Sequence, residues 1–243
     1  MLIINADDWG ISKVATDRSL MCRKIGAITS ASAMVFMNDS ERAAHLALEH
    51  GLDVGLHLNL TEMFTSPNGS SRLTAFQHDV SGFLRRNRRY RYLYNPFLRN
   101  KCEYLFRAEY DEFVRLYRKP PSHFDGHHHI HLCLNILCSG LIPNRSKIRR
   151  HFSYFRGERS ASMRALRTLV HRLLKRRYIC TDFFFGLAPA LGWGRLGRVV
   201  ELAESSSVEL AVHPEDMAEY EYLTSAIFHH LIGGIHRGSY ASL

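Results

Sequence analysis

The 243-residue chain has no CxxC pair, no apolar run of membrane-spanning length and no glycine-rich nucleotide loop after its first apolar stretch. Each absence removes a class of protein. The five cysteines (Cys22, Cys102, Cys133, Cys138, Cys180) are odd in number and scattered, which speaks against a disulfide framework or a structural zinc knuckle. A spanning helix needs roughly 20 apolar residues in a row, and no run here approaches that length. The opening MLIINADDWG carries no basic region and meets two acids by Asp8, so it does not read as a signal peptide and the expected location is the cytoplasm. Without GxGxxG after the first strand, a dinucleotide fold lacks its signal. Without GxSxG or an evident Cys/His pair, a covalent serine or cysteine route lacks its usual local signs. No internal repeat or linker divides the chain, so residues 1–243 are read as one domain.

What is present is a core-forming 46% of hydrophobic residues and a net charge of +9, unevenly placed. Arg85 to Lys119 holds eleven basic and four acidic residues, and Arg145 to Arg177 holds twelve and one. The rest of the chain is acidic. Such asymmetry suits an anionic partner, whether an acidic glycan, a membrane surface or nucleic acid, and equally suits solvated helix faces without a partner.

The periodicity alternates between strand and helix. Leu2–Asn5 is a strand-like run, and Ser12 can cap a helix to Lys24. Ile28–Phe36 is strand-like, and Asn38 can cap a helix through His50. In Asp53–Leu60 the residues Val54, Leu56, Leu58 and Leu60 share one face, and Gly55, His57 and Asn59 the other. Thr61 to Asn100 reads as a long loop with some helix. Further on, helices are expected over Cys102–Arg118, Leu132–Ser139, Ser160–Lys175, Trp193–Glu204 and Leu223–Ile232. Strands are expected at Ser122–His127, Ile148–Phe152, Asp182–Gly186 and Val208–Val212. Repeated βα units predict an α/β fold, a TIM-barrel-like single domain with an irregular or incomplete barrel. Active residues of such barrels gather where strands end. Asp7, Asp8, His57, Asp125, His127 and His213 all stand at such positions.

Taken singly these residues are ambiguous. Asp7-Asp8 could form a turn and helix cap, and His57 could be a buried, hydrogen-bonded core histidine. The stretch FDGHHHIH is denser in imidazole than chance favours; if extended, His127, His129 and His131 share a face and His128 does not. Together, two histidines and a carboxylate with open positions suit a catalytic divalent ion. Such an ion lowers the pKa of its water toward ~7 and polarises a carbonyl. A free carboxylate can take the water's proton, and a histidine can protonate the leaving group. That set suits hydrolysis of an amide or ester.

Three blocks carry a family resemblance: NADDWG at the start, VGLHLNLTE at Val54–Glu62, and PSHFDGHHHIH at Pro121–His131. With ITSASAMV, ELAVHPE, LTSA and RGSY in the same order, the chain resembles the YdjC-like carbohydrate deacetylases, which include the chitooligosaccharide deacetylases. The resemblance implies a (βα)-barrel-like fold, one divalent metal (Mg²⁺ or Zn²⁺) and removal of acetyl from N-acetylated sugars, with metal-bound water attacking the amide carbonyl. By motif it implies Asp8, His57 and His127 as metal ligands, Asp7 as general base and His213 as general acid. Asp125 would orient a histidine or line the site, and His129 and His131 would be packing or substrate-side residues. Thr61 stands four residues after His57, so the second histidine ligand must come from the later block. Trp9 stands where the family usually has phenylalanine. The basic segments keep open an anionic or lipid-linked glycan, peripheral membrane contact, homo-oligomerisation, and a phosphoesterase on the same metal logic. The Tyr/Arg interleaving at Tyr90–Tyr94 keeps open a nucleic-acid or anion-binding protein with a structural metal, though no nucleic acid is expected as partner.

Overall fold

Strand and helix alternate along the whole chain because short runs of small and β-branched residues end in turn signals and are followed by capped helical segments. The computed structural model describes residues 1–243 except the side chains of Arg88 and Tyr92, so the Tyr92 part of the Tyr90–Tyr94 reading lies outside the described residues. The strands are β1 (Leu2–Trp9), β2 (Ser30–Ala33), β3 (Asp53–Leu58), β4 (Phe124–Gly126), β5 (Phe183–Gly186) and β6 (Val208–Val212). The helices are α1 (Lys13–Lys24), α2 (Ser40–Glu49), α3 (Ser71–Arg86), α4 (Arg99–Tyr117), α5 (Leu134–Leu137), α6 (Ala161–Lys175), α7 (Leu187–Gly192), α8 (Leu196–Ser205), α9 (Met217–Thr224) and α10 (Ala226–Ile232). Among the described residues no helix is long and apolar enough to cross a membrane.

All six strands are parallel, in the order β4-β3-β2-β1-β6-β5. The sheet is curled, and residues 147–153 run between its two edges. Phe124 N donates to Lys147 O at 2.9 Å and Arg149 N to Phe124 O at 3.1 Å on one side. Ile148 N donates to Ile179 O at 2.9 Å and Ser153 N to Phe184 O at 2.8 Å on the other. The strand expected near Ile148–Phe152 is therefore an irregular seventh stave, and the fold is an incomplete TIM-like barrel.

The outward faces of the strands are apolar and pack against the helices. In β3, Val54, Leu56 and Leu58 belong to the hydrophobic core. The inward faces are polar and small, a point that governs the site. Gly55 shows how tight the interior is: a Cβ there would lie 2.4 Å from the His123 ring.

Three local expectations change. Asp39, not Asn38, precedes α2, and its carboxylate is held by Arg42 at 2.7 and 2.8 Å instead of capping. The segment read as loop contains the 16-residue α3, whose Ser70 hydroxyl accepts from Leu73 N and whose Leu73, Gln77, Val80 and Leu84 are buried at helical spacing. The last helical stretch begins at Met217 and is broken into α9 and α10 at Ser225, which caps the second by accepting from Phe228 N.

Candidate active site

Adjacent residues on a strand point to opposite faces, so Asp7 and Asp8 could not both reach one cavity from a regular β1. The strand is not regular there. Its register with β2 shifts between Ala6 and Trp9, and Asp8 adopts a left-handed φ of 62°. Bulges of this kind re-aim side chains at barrel rims. Asp8 thereby turns toward β3 and β4 while Asp7 keeps the inward direction of Asn5.

Asp8 Oδ1 lies 3.2 Å from His57 Nε2 and 2.9 Å from His127 Nδ1. The donor atoms of these three residues all fall within 4.8 Å of one another. His57 Nδ1 meets Asp125 Oδ1 at 2.9 Å. With the Nδ1 proton directed at Asp125, Nε2 presents its lone pair toward Asp8. That pair of atoms at 3.2 Å requires a shared positive charge, either a second proton on the ring or a cation. Burial pulls the His57 pKa down, but the Asp125 charge and hydrogen bonds outweigh it and hold it well above the ordinary value. Burial raises Asp8 in the same way, and the hydrogen bonds from His127 and His57 hold it well below the carboxylate range.

Asp7 is fixed by Arg149, whose guanidinium bonds its two oxygens at 2.6 and 2.7 Å. Asn5 Nδ2 donates to Asp7 Oδ1 at 2.9 Å and to Ser32 Oγ at 2.7 Å. Arg149 also reaches Asp125 at 2.8 Å and Glu209 at 2.7 Å, with only 1% of its side chain exposed. Asp125 is deeply buried, yet the Arg149 and His57 charges overcome that burial and keep it ionised far below its ordinary pKa. Burial dominates at Glu209 and pushes its carboxyl up to about 7. His213 follows β6; its Nε2 lies 3.8 Å from Asp7 Oδ2, and its backbone N–H donates to Glu219 Oε2 at 2.7 Å. Burial alone would lower its pKa, but Glu219 and Asp7 raise it to about 9. Solvent at the 47% of the side chain that stays accessible screens part of that field.

The structure thus brings together all six residues singled out in the sequence. Five of them (Asp7, Asp8, His57, His127 and His213) line one cavity of about 850 Å³, with Asp125 directly beneath His57. Residues 1–232 match the profile of the family described as YdjC-like protein. The chain belongs to the YdjC-like family. It is 36% identical over 134 residues to a chitooligosaccharide deacetylase of Proteus mirabilis and 31% identical over 134 residues to one of Serratia marcescens. Those matches cover 54% of this chain, and the chain spans about half the length of the curated relatives it matches (50% and 51%). A solved structure from Enterococcus faecalis, described as a candidate cellobiose-phosphate cleavage protein, superposes with a TM-score of 0.70 at 19% identity, covering 99% of this chain and 97% of that one. That likeness speaks for the fold.

Within this YdjC-like site, the histidine stretch departs from the extended reading. The strand stops at Gly126, and His128 and His129 both take left-handed φ values of 54° and 59°. The parity argument fails because the backbone coils there. His127 meets Asp8, while the exposed His128 contacts Thr61 Oγ1 at 3.1 Å. His129 packs edge-on against Phe152 and Phe184 at 4.7 and 5.7 Å, and burial keeps it neutral, its pKa well below the usual value. His131 is fully buried and donates from Nε2 to the Arg149 carbonyl at 3.0 Å.

Arg149 is the residue that sequence reasoning missed. It stands in a basic segment, where a charged surface is the expectation. Its signal was local: in KIRR the strand-like Ile148 faces outward, so Arg149 must face inward. Glu209 carried a similar signal, a lone acid inside the apolar VELAV. Asn5 stands two residues before Asp7 on the same face.

Proposed function

We propose that residues 1–243 form one catalytic unit, a metal-dependent hydrolase that removes the acetyl group from an N-acetylated sugar in an oligosaccharide or glycolipid. The observation that carries this reading is the convergence of Asp8, His57 and His127 beside a carboxylate, Asp7, and a further imidazole, His213, in one cavity. A carboxylate and two imidazoles, one with its tautomer set by Asp125, are a donor set that fits a divalent ion. Bound there, Mg²⁺ or Zn²⁺ would supply Lewis-acid polarisation of a carbonyl and a lower pKa for water. Names of the curated relatives, and their similarity over 54% of this chain, support an acetylated sugar as substrate.

The protein groups divide the proton work. Asp7, held in plane by Arg149 and Asn5, accepts the proton of the attacking water. His213, charged at neutral pH, donates a proton to the nitrogen of the departing sugar amine, so that acetate and a free amine leave. Asp7 Oδ2 and His213 Nε2 lie 3.8 Å apart, so a small approach of the ring returns that proton to His213 for the next turnover.

Acetate release from N-acetylated glycans, measured together with the metal content of the purified protein, tests this. Asp8→Ala and His127→Ala should lose bound metal and at least a thousandfold in rate, following the scale of removed electrostatic and base catalysis. Retention of both activity and metal would overturn the assignment. Arg85, Arg91 and Arg167 line the same cavity, which favours an anionic substrate and keeps phosphate-ester hydrolysis as a second reading. Phosphate release without acetate release would select it.

A further inference from the structure

Helix α6 is built with its apolar stripe outward. A surface helix usually turns that stripe to the protein body. In α6 only Leu174 is buried. Met163, Leu166, Leu169 and Leu173 keep 40%, 53%, 54% and 50% of their surface, and their spacing of three and four residues puts them on one side of the helix. The half-buried positions nearer the body include Arg167, which lines the active-site cavity, and His171. Burial holds His171 neutral, its pKa pushed down to about 4.

The surrounding charge is of one sign. Between Glu158 and Asp182 the chain carries seven basic residues and no acid. Lys175 pairs with Asp182 at 2.8 Å. Arg172 and Arg176 are exposed and have no carboxylate within ion-pair distance among the described residues, whereas Arg164 lies on the half-buried side of the helix and donates to the Arg159 carbonyl at 2.8 Å. At the start of the helix, Trp193 keeps 49% of its surface, with the Arg159 guanidinium 6.0 Å from its ring.

We infer that α6, with Trp193, docks the protein on an anionic lipid surface. Leucines on one side of a helix can enter the boundary between headgroups and acyl chains while flanking arginines reach lipid phosphates. An indole beside the helix suits the same interface. A second copy of the chain fits this face less well, because pairing two such helices sets like charges against each other without a compensating acid. Since Arg167 borders the cavity, docking brings the active-site mouth beside the headgroups.

The full chain, mixed with vesicles of phosphatidylcholine alone or phosphatidylcholine with phosphatidylglycerol, tests this by co-sedimentation and tryptophan emission. The chain has two tryptophans and Trp9 is fully buried, so a blue shift on vesicle addition reports Trp193. Binding and the blue shift are expected only with phosphatidylglycerol present. Leu166→Ser/Leu169→Ser/Leu173→Ser should weaken partitioning by on the order of a hundredfold. Arg172→Gln/Arg176→Gln should weaken it about fivefold per charge. All five positions are exposed, on the helix or at its C-cap, so both variants should melt like wild type, which circular dichroism checks. No binding to the anionic vesicles, or binding that the leucine substitutions leave intact, overturns the inference. A wild-type dimer that the leucine substitutions convert to monomer, with no vesicle binding, assigns the stripe to a second copy and also overturns it.

Discussion

Arg149→Met removes one positive charge from the middle of three carboxylates. Arg149 is 1% exposed and contacts Asp7 at 2.6 and 2.7 Å, Asp125 at 2.8 Å and Glu209 at 2.7 Å. Removing one partner from a buried ion cluster costs about 3–5 kcal/mol, because the remaining charges stay desolvated and repel. In a chain of this size each kcal/mol moves the melting temperature by roughly 2–4 °C, so a fall of roughly 6–20 °C is expected at about pH 8. The loss should depend on pH in a definite direction. The folded-state pKa of Glu209 is raised from 4.5 to about 7, so the folded protein binds that proton more readily than the unfolded chain over this window. Its protonation therefore favours the folded state as pH falls below about 7 and removes one of the three repelling charges. Without Arg149, Glu209 and Asp125 both lose the charge that holds their pKa down, so each takes up a proton more readily as pH falls. Arg149→Met should thus lose less stability at about pH 5.5 than at about pH 8. Urea unfolding followed by circular dichroism at the two pH values measures this. Arg149→Lys, which keeps the charge without the planar fork, should fall between. A loss below ~1 kcal/mol, or one equal at both pH values, would refute the account of this cluster as an interdependent charge network.

Gly55→Ala should destabilise by about 1–3 kcal/mol or more, because its Cβ would lie 2.4 Å from a His123 ring that stacks on Tyr240 at 3.7 Å; an unchanged urea midpoint would contradict that packing. For His213, whose folded pKa is raised from 6.5 to about 9, acetate release should decline as pH rises through that interval, with solvent screening drawing the midpoint toward its lower end, and His213→Gln should lose this alkaline limb along with most of the rate. The same ring contributes stability that is fully present below 6.5 and lost as pH rises through about 9, so thermal melts should fall on the alkaline side in wild type and not in the variant.

Much of the architecture was legible because it is written in local pattern. β6 was read to its own bounds, Val208–Val212, from an uninterrupted apolar run closed by His213-Pro214. α1 was read from Ser12, whose hydroxyl accepts from Ala15 N as an N-cap should. Asp7, Asp8, His57, Asp125, His127 and His213 were legible because strand ends in such folds converge, and each stands at one. What was not legible depends on backbone turns or on distant partners. The left-handed His128 and His129 cannot be inferred from residue type alone, since histidine, though enriched in that region, still takes it only as a small minority. α3 was hidden by its polar composition and by the SPNGSS stretch before it, although its buried positions keep helical spacing. The burial of Arg149 depends on acids from β1, β4 and β6, none within twenty residues of it.

The polar interior explains why the seventh stave can be so irregular. A regular barrel is closed by continuous ladders, but residues 147–153 make only a few backbone hydrogen bonds to each neighbour. The closure is strengthened from within. Arg149 ties this stave to β1 through Asp7, to β4 through Asp125 and to β6 through Glu209, across the barrel and not along its wall. His131, from the end of the histidine stretch, donates to the Arg149 carbonyl and fixes the same residue from behind. Closing the barrel and aligning Asp7 are therefore one interaction. A chain that failed to close at this stave would lose the orientation of Asp7, and through Asp125 that of His57, before it lost any strand of the six-stranded sheet.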